Sequence, residues 1–241
     1  MNSVVISVNG QPLHFVGPSA WEEVKAPQYL QFLRSLKVEG GEFALLQLWF
    51  GMRYRHMRWL DEEQRLALLA LIDFTRERPN VWMVPRVRIG WRFYYGPGHR
   101  LEHLTFGEFM AAEAARTAEN RALLAAALYS DQTKRTFNPA RIGSLERRMS
   151  REDETLLESV LVNYLGCLDY LASRFRHVFR PGDGSGGGGT WLDIGLNLAR
   201  QTSALGSFQQ LEQTNLYLAL PVLESLLKEQ DELEKRMKRN D

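Results

Sequence analysis

The side chains in this sequence whose types could do bond chemistry are five histidines, one cysteine and a handful of closely spaced carboxylates. The tightest grouping is His99 and His103, with Glu102 between them. Four-apart spacing places two imidazoles on one side only if the segment is a helix. Gly96-Pro97-Gly98 just upstream reads as a turn, and the order is not the His-Glu-x-x-His of a helical zinc site. A solvated loop without metal is the expectation. Glu108 and Glu113 diverge around a helix and form no acid pair; like most carboxylates they are expected at the surface. No nucleophile-elbow pattern occurs. The Gly-rich tract from Pro181 to Gly189 lacks the preceding strand and the following Lys-Ser or Lys-Thr of a phosphate loop, so it reads as a flexible loop. Cys167 lies in the apolar run Tyr164-Leu165-Gly166-Cys167-Leu168 and reads as a buried structural thiol. No catalytic residue, metal or cofactor is therefore assigned, and the reading is non-enzymatic. Its enzymatic alternative requires a cleft between sheet and helices that gathers His99, His103, Glu108 and Arg92.

Chemistry of recognition is better represented. Between Arg76 and Arg100, Arg76, Arg78, Arg86, Arg88, Arg92 and Arg100 interleave with Trp82, Trp91, Tyr94 and Tyr95. Such a segment can be an ordinary sheet with aromatics inward and Arg outward, since Arg86, Arg88 and Arg92 share even positions with Tyr94. It can be a protein interface, where Trp, Tyr and Arg are enriched. It can also stack bases and hold phosphates, although a net charge of +1 ranks nucleic acid last. The partner-binding candidates are Trp82, Arg88, Trp91, Arg92 and Tyr94, with Leu223 and Leu227 from the apolar seam of the last helix.

The elements that must position these groups follow from periodicity. Val4, Ile6 and Val8, then Leu13 and Phe15, alternate about Asn9-Gly10 and predict a hairpin over Ser3 to Val16. Ser19 and Glu22 suggest a helix start, and helices are predicted over Gln28 to Lys37, Glu42 to Met57 and Asp61 to Arg78, the last capped by Asp61. Val81 to Tyr95 is rich in strand formers but broken by Pro85 and Gly90, which predicts two short strands or a bulged edge strand. The pivot is Leu101 to Tyr129. Thr105 is its N-cap, Glu108 closes a capping box, and Leu104 staples onto Phe109. Asp131 to Ser144 reads as irregular, with Asn138-Pro139 and Gly143 as turn signals. A long helix is predicted from Arg151 to Phe179 under a Ser150 cap, then Trp191 to Thr202, and a last helix from Thr214 to about Arg239, kinked at Pro221 or starting nearer Ala219.

The totals are compatible with this picture. The chain has 241 residues, 44% hydrophobic and 24% charged, enough for one large domain or two small ones with a real core. Thirty basic against 29 acidic residues give no overall pull toward nucleic acid or membrane. A lone cysteine excludes an intrachain disulfide and fits a reducing compartment. Met1 to Ser7 has no basic and apolar leader pattern, and no stretch reaches membrane-spanning length, so a cytoplasmic protein is expected. The expected fold is α+β and mostly α-helical, with a small antiparallel sheet formed by the N-terminal hairpin and residues 81–95. Residues 1–180 would form the main domain, 181–189 a flexible loop, and 190–241 a C-terminal helical hairpin, docked or mobile.

Three islands carry a resemblance. They are Pro18-x-x-Trp21-Glu22-Glu23-Val24 with Gln28-Tyr29-Leu30; Leu104-Thr105-Phe106-Gly107-Glu108-Phe109 with Leu123 through Tyr129; and Trp191 through Ala199 with Asn215-Leu216-Tyr217 and the closing Lys228-Glu229 helix. Together they resemble small, mostly helical proteins encoded in tailed phages and prophages near the tail-tube and tape-measure genes. That resemblance implies a chaperone-like tail assembly or scaffold protein in a bacterial host's cytoplasm, which holds the helical tape measure while tube subunits polymerise. It carries no functional residues with it.

Overall fold

The computed structural model of the chain describes residues 1–8, 11–37, 41–131, 135–180, 190–201 and 205–240. The fold is α+β and mostly helical. Strands β1 (Asn2–Val8) and β2 (Gln11–Gly17) pair antiparallel, with Val4 opposite Phe15 and Ile6 opposite Leu13. These four side chains turn inward, while Val5 and Val16 point outward. The Asn9-Gly10 turn lies outside the described residues. Strands β3 (Arg86–Ile89) and β4 (Arg92–Tyr95) pair with each other and not with β1–β2, so the protein has two separate two-stranded sheets where the sequence suggested one. The physical reason is local: Gly90 adopts φ +62 and begins a two-residue turn that folds the second aromatic run straight back onto the first.

The N-terminal helices wrap an aromatic cluster. After a 3-10 turn at Trp21–Glu23 come α1 (Ala26–Ser35), α2 (Gly41–Phe50), α3 (Tyr54–Met57) and α4 (Glu62–Ala70). Trp21 packs edge-on against Tyr29, Phe32, Trp49 and Phe74 at centroid separations of 5.1–6.4 Å. Ser19 bonds Glu23 rather than Glu22, which fixes a single 3-10 turn and not a helix. The helix expected over Glu42 to Met57 is split because Gly51, at φ +65, ends α2. Asp61 caps α4, as its position predicted, its carboxylate accepting from the Gln64 N–H at 2.7 Å.

The central layer is α5 (Phe106–Thr117), α6 (Arg121–Leu128), α7 (Pro139–Met149) and α8 (Glu154–Arg174). The capping box on α5 is present, with Thr105 and Glu108 exchanging side-chain and backbone bonds, and Leu104 and Phe109 are both fully buried. Ala112, Ala115, Ala125, Ala126 and Ala127 are inaccessible to solvent, so small side chains let α5 and α6 approach closely. Helix α7 replaces the irregular stretch expected before Ser144. Asn138 caps it by accepting from the Arg141 N–H, and Pro139 occupies its first turn, where a missing N–H is harmless. Helix α8 starts later than expected because Asp153, not Ser150, supplies the cap.

Asn163 on α8 ties down the extended run before β3. Its amide donates to the Pro79 and Val81 carbonyls at 2.9 and 2.7 Å and accepts from the Met83 N–H at 2.6 Å. Gly166 allows this closeness, since a Cβ there would stand 2.3 Å from the Pro79 carbonyl oxygen.

Beyond α8, helices α9 (Trp191–Gln201), α10 (Phe208–Gln213) and α11 (Leu216–Asn240) pack back on α5. Trp191 sits edge-on to Phe109 at 4.7 Å and near Phe179 at 5.5 Å. The Phe106 N–H donates to the Thr214 carbonyl and the Leu216 N–H to the Leu104 carbonyl, a short bridge that joins the start of α11 to the cap of α5. Thr214 therefore ends α10 rather than opening α11, and α11 runs through Pro221, which falls in its second turn. No helix among the described residues is long and apolar enough to cross a membrane.

Candidate interaction surface

The β3–β4 hairpin has an inner and an outer face, set by its register. Val87 faces Tyr94 on the inside; Val87, Ile89 and Tyr94 are buried, and the Tyr94 hydroxyl accepts from Arg148 Nη1 at 3.1 Å. On the outside, Arg86 stands opposite Tyr95 and Arg88 opposite Phe93. The Arg86 and Arg88 guanidiniums lie 5.4 and 5.9 Å from the Phe93 ring centre. At the turn, Trp91 is 78% exposed and Arg92 stacks 4.6 Å from its ring. Phe93 and Tyr95 are 44% and 42% exposed. The outer face thus carries the Phe93 and Tyr95 rings with the Arg86 and Arg88 guanidiniums; Trp91 stands at the turn, and Arg92, opposite Ile89 and so off the outer face by register, stacks on it from the strand end. Asp131 is the acid beside it, 3.8 Å from Arg92. Trp91, Arg92, Phe93, Tyr95 and Asp131 line a shallow concavity of about 450 Å³.

A two-stranded hairpin alone is marginal, so its rigidity must come from what holds it. The Tyr95 N–H donates to the Ser130 carbonyl at 2.6 Å, and the Ser130 N–H returns to the Tyr95 carbonyl at 2.9 Å. The same Tyr95 carbonyl accepts from Arg135 Nη2 at 2.9 Å. Arg135 also donates to the Leu128 carbonyl, and its Nη1 meets Glu108 Oε2 at 3.1 Å. Arg141 donates from Nη2 to Glu108 Oε1 at 2.9 Å and from Nη1 to the Tyr129 carbonyl at 3.2 Å. One carboxylate with no solvent exposure therefore holds two guanidiniums, whose side chains are 4% and 17% exposed. Burial lowers the Arg135 pKa from its ordinary value, and the Glu108 charge opposes that shift.

Glu108 is thus not the surface carboxylate expected from sequence, and neither is Glu113. Glu113 is 6% exposed, chelated by Arg116 through two 2.9 Å bonds, and accepts from the Tyr164 hydroxyl at 2.9 Å. Beside that carboxylate, burial first and the Glu113 charge second push the Tyr164 phenol well above its usual range.

Of the sequence-derived partner residues, Arg88 is on the outer face, and Trp91 and Arg92 stack on each other at the hairpin tip. The others are elsewhere. Trp82 is buried, its ring 6.0 Å from Tyr129 and pressed against Gly96, where a Cβ would come within 2.1 Å of the indole nitrogen. Tyr94 faces inward because it pairs with Val87. Leu223 is 5% exposed and Leu227 partly buried, both packed in the core from α11, so this part of the seam is already covered by the chain itself. Phe93 and Tyr95 were missed as site residues; their outward direction depends on the turn at Gly90, which flips the parity of the second strand relative to the first.

His99, His103, Glu108 and Arg92 do not come together. His99 Nδ1 accepts from the Trp82 N–H at 3.1 Å, and His103 is exposed beside Glu102 at 3.6 Å. Glu108 is enclosed by arginines, and Arg92 is at the hairpin tip. Among the described residues no group of three or more His, Cys, Asp or Glu side chains could hold a metal ion. Cys167 is fully buried with its thiol on the Asn80 carbonyl at 3.4 Å, and burial pushes its pKa up to about 12. A comparison with protein-family models, curated proteins and solved structures finds no match to this chain.

Proposed function

We propose that this protein is a non-enzymatic assembly or scaffold protein that takes an acidic, ring-accepting segment of another protein on the outer face of β3–β4. The observation that carries the reading is the exposed row of Phe93 and Tyr95 with Arg86 and Arg88, extended at the turn by the Trp91–Arg92 stack and held against the core by the buried Glu108–Arg135–Arg141 network. Exposed rings of this size favour burial, and Arg86 and Arg88, which form no ion pair among the described residues, favour an acidic partner through complementarity. The resemblance to tail assembly proteins suggests the partner's class: a long helical tape-measure protein. Most of the residues that carry that resemblance, including Trp21, Val24, Tyr29, Leu104, Phe106 and Phe109, lie in the core, so they bear on the fold more than on the binding face.

The test is a calorimetric titration of the full chain with an acidic coiled-coil segment of a tape-measure protein from the same genome. Saturable binding that weakens about 30-fold in Trp91→Ala, the equivalent of about 2 kcal/mol for a central interface tryptophan, supports the reading. Binding unchanged by Trp91→Ala and by Arg88→Glu contradicts it. Salt-sensitive retention of single-stranded oligonucleotide, abolished by Arg88→Glu and unmatched by any protein partner, would assign the face to nucleic acid instead.

A further inference from the structure

A second cleft, about 450 Å³ in volume, is built on a piece of backbone that the hairpin does not use. His99, Arg100, Glu102, Tyr170, Arg174, Tyr217, Val81 and Glu22 line it. Arg100 in its lining (φ 55°, ψ 23°) and the buried Leu101 that follows it (φ 66°) are consecutive non-glycine residues with positive φ. Each such residue costs roughly 1–2 kcal/mol, and strain of this kind persists where the surroundings over-determine it. Here they do. The Arg100 N–H donates to the Asn80 carbonyl at 3.2 Å, the Tyr217 hydroxyl donates to the Arg100 carbonyl at 2.8 Å, the Asn215 amide donates to the Glu102 carbonyl at 2.8 Å, and Leu101 is fully buried.

The consequence of that backbone is the placement of one side chain. The Arg100 guanidinium lies 4.5 Å from the centre of the Tyr170 ring. Arg174 comes to the same phenol, Nη1 donating to its hydroxyl at 3.5 Å, while its guanidinium lies 5.9 Å from the Tyr217 ring. Among the described residues no carboxylate comes within ion-pair distance of Arg100 or Arg174. His99 accepts from the Trp82 N–H through Nδ1, so in its neutral form the ring proton is on Nε2, a further donor. Two cations with free N–H groups, an imidazole donor and two tyrosine faces thus converge on one opening, with Glu22 and Glu102 contributing the acids of its lining.

We propose that this cleft binds an oxyanion, carboxylate or phosphate, carried next to an aromatic ring. The planar guanidiniums of Arg100 and Arg174 take the oxyanion through paired N–H donors, and Tyr170 and Tyr217 take the ring. The group can arrive on a free aryl phosphate or on the terminal carboxylate of a partner chain that ends in an aromatic residue; the chemistry recognised is the same.

The experiment titrates the full chain with phenyl phosphate, inorganic phosphate, and a short peptide ending in phenylalanine with its carboxylate free or amidated, read by calorimetry and by thermal shift. Saturable binding of phenyl phosphate or of the free-carboxylate peptide is expected, at least tenfold tighter than inorganic phosphate. Arg174→Gln and Arg100→Asn each weaken it tenfold or more; asparagine tolerates the left-handed backbone, so the backbone lining the cleft survives that change. Arg34→Gln, at an exposed arginine on α1 paired with Asp153, leaves it unchanged. Peptide binding that is lost on amidation and exceeds phenyl phosphate identifies a chain terminus as the source, and the reverse order a small molecule. No saturable binding of any probe overturns the proposal, as does binding that survives both Arg174→Gln and Arg100→Asn in variants whose unliganded melting is cooperative.

Discussion

Replacing Glu108 by glutamine keeps the shape of the side chain and removes its charge. In the native protein that carboxylate is wholly buried and neutralises Arg135, whose side chain is only 4% exposed, together with Arg141. Breaking a buried ion network from one side leaves the other charge uncompensated and costs about 3–5 kcal/mol. That is a large part of the roughly 5–15 kcal/mol that holds an ordinary domain together. With a urea dependence of about 3 kcal/mol per molar, the unfolding midpoint falls by about 1–1.7 M. The effect should be local as well as global. Arg135 bonds the Tyr95 carbonyl, so the Tyr95 amide, donated to Ser130, should exchange hydrogen faster in the variant at urea concentrations well below unfolding. A midpoint shift below about 0.3 M, with Tyr95 protection intact, would show that the network does not hold the hairpin and would refute the argument.

Other consequences follow from the same geometry. Asn163→Leu leaves the Pro79 and Val81 carbonyls and the Met83 N–H without their partner and should destabilise by about 3 kcal/mol or more in chemical denaturation. Gly166→Ala forces a methyl against the Pro79 carbonyl and should cost about 1–3 kcal/mol, measured in the same way, whereas Gly143→Ala, where a Cβ meets nothing, should be neutral or stabilising. Glu224 on α11 is partly buried, which acts to raise its pKa, but the hydrogen bonds from the His177 ring and the 177 and 178 amides outweigh burial and leave it below its ordinary 4.5. A depressed folded pKa means that this contribution is complete above about pH 4.5 and is lost as pH falls through the lower folded value. Stability in acid should therefore drop less steeply for Glu224→Gln than for the unmodified chain, in denaturant midpoints taken from pH 6 to pH 3. Cys167, with its thiol near 12, should react with a thiol reagent at neutral pH only at the rate of unfolding.

What could be read from the chain divides by the range of the forces concerned. The Thr105–Glu108 box, the Asp61 cap and the N-terminal hairpin depend on residues a few positions apart, and local spacing is enough to state them. The pairing of β3 with β4 alone was not legible, because Val81 to Val84, although strand formers, are claimed by Asn163 on α8 instead of by a strand. Helix α7 carried an Asn cap and a first-turn proline, yet its polar composition masked them. Glu108 was the least readable residue. Its burial depends on two arginines, 27 and 33 positions away, that no local pattern joins to it. Arg88, Trp91 and Arg92 were found from composition, but which aromatics face outward was fixed only by the φ +62 turn at Gly90.

The claim on which the account turns is that the outer face of β3–β4 is where the partner sits. Hydroxyl-radical footprinting of the full chain, free and saturated with the acidic tape-measure segment, tests it most directly, with Trp59, 51% exposed on the link between α3 and α4, as an internal reference. The account predicts that oxidation of Trp91, Phe93 and Tyr95 falls severalfold in the complex while Trp59 is unchanged. Unaltered oxidation at Trp91 in a saturated complex would contradict it.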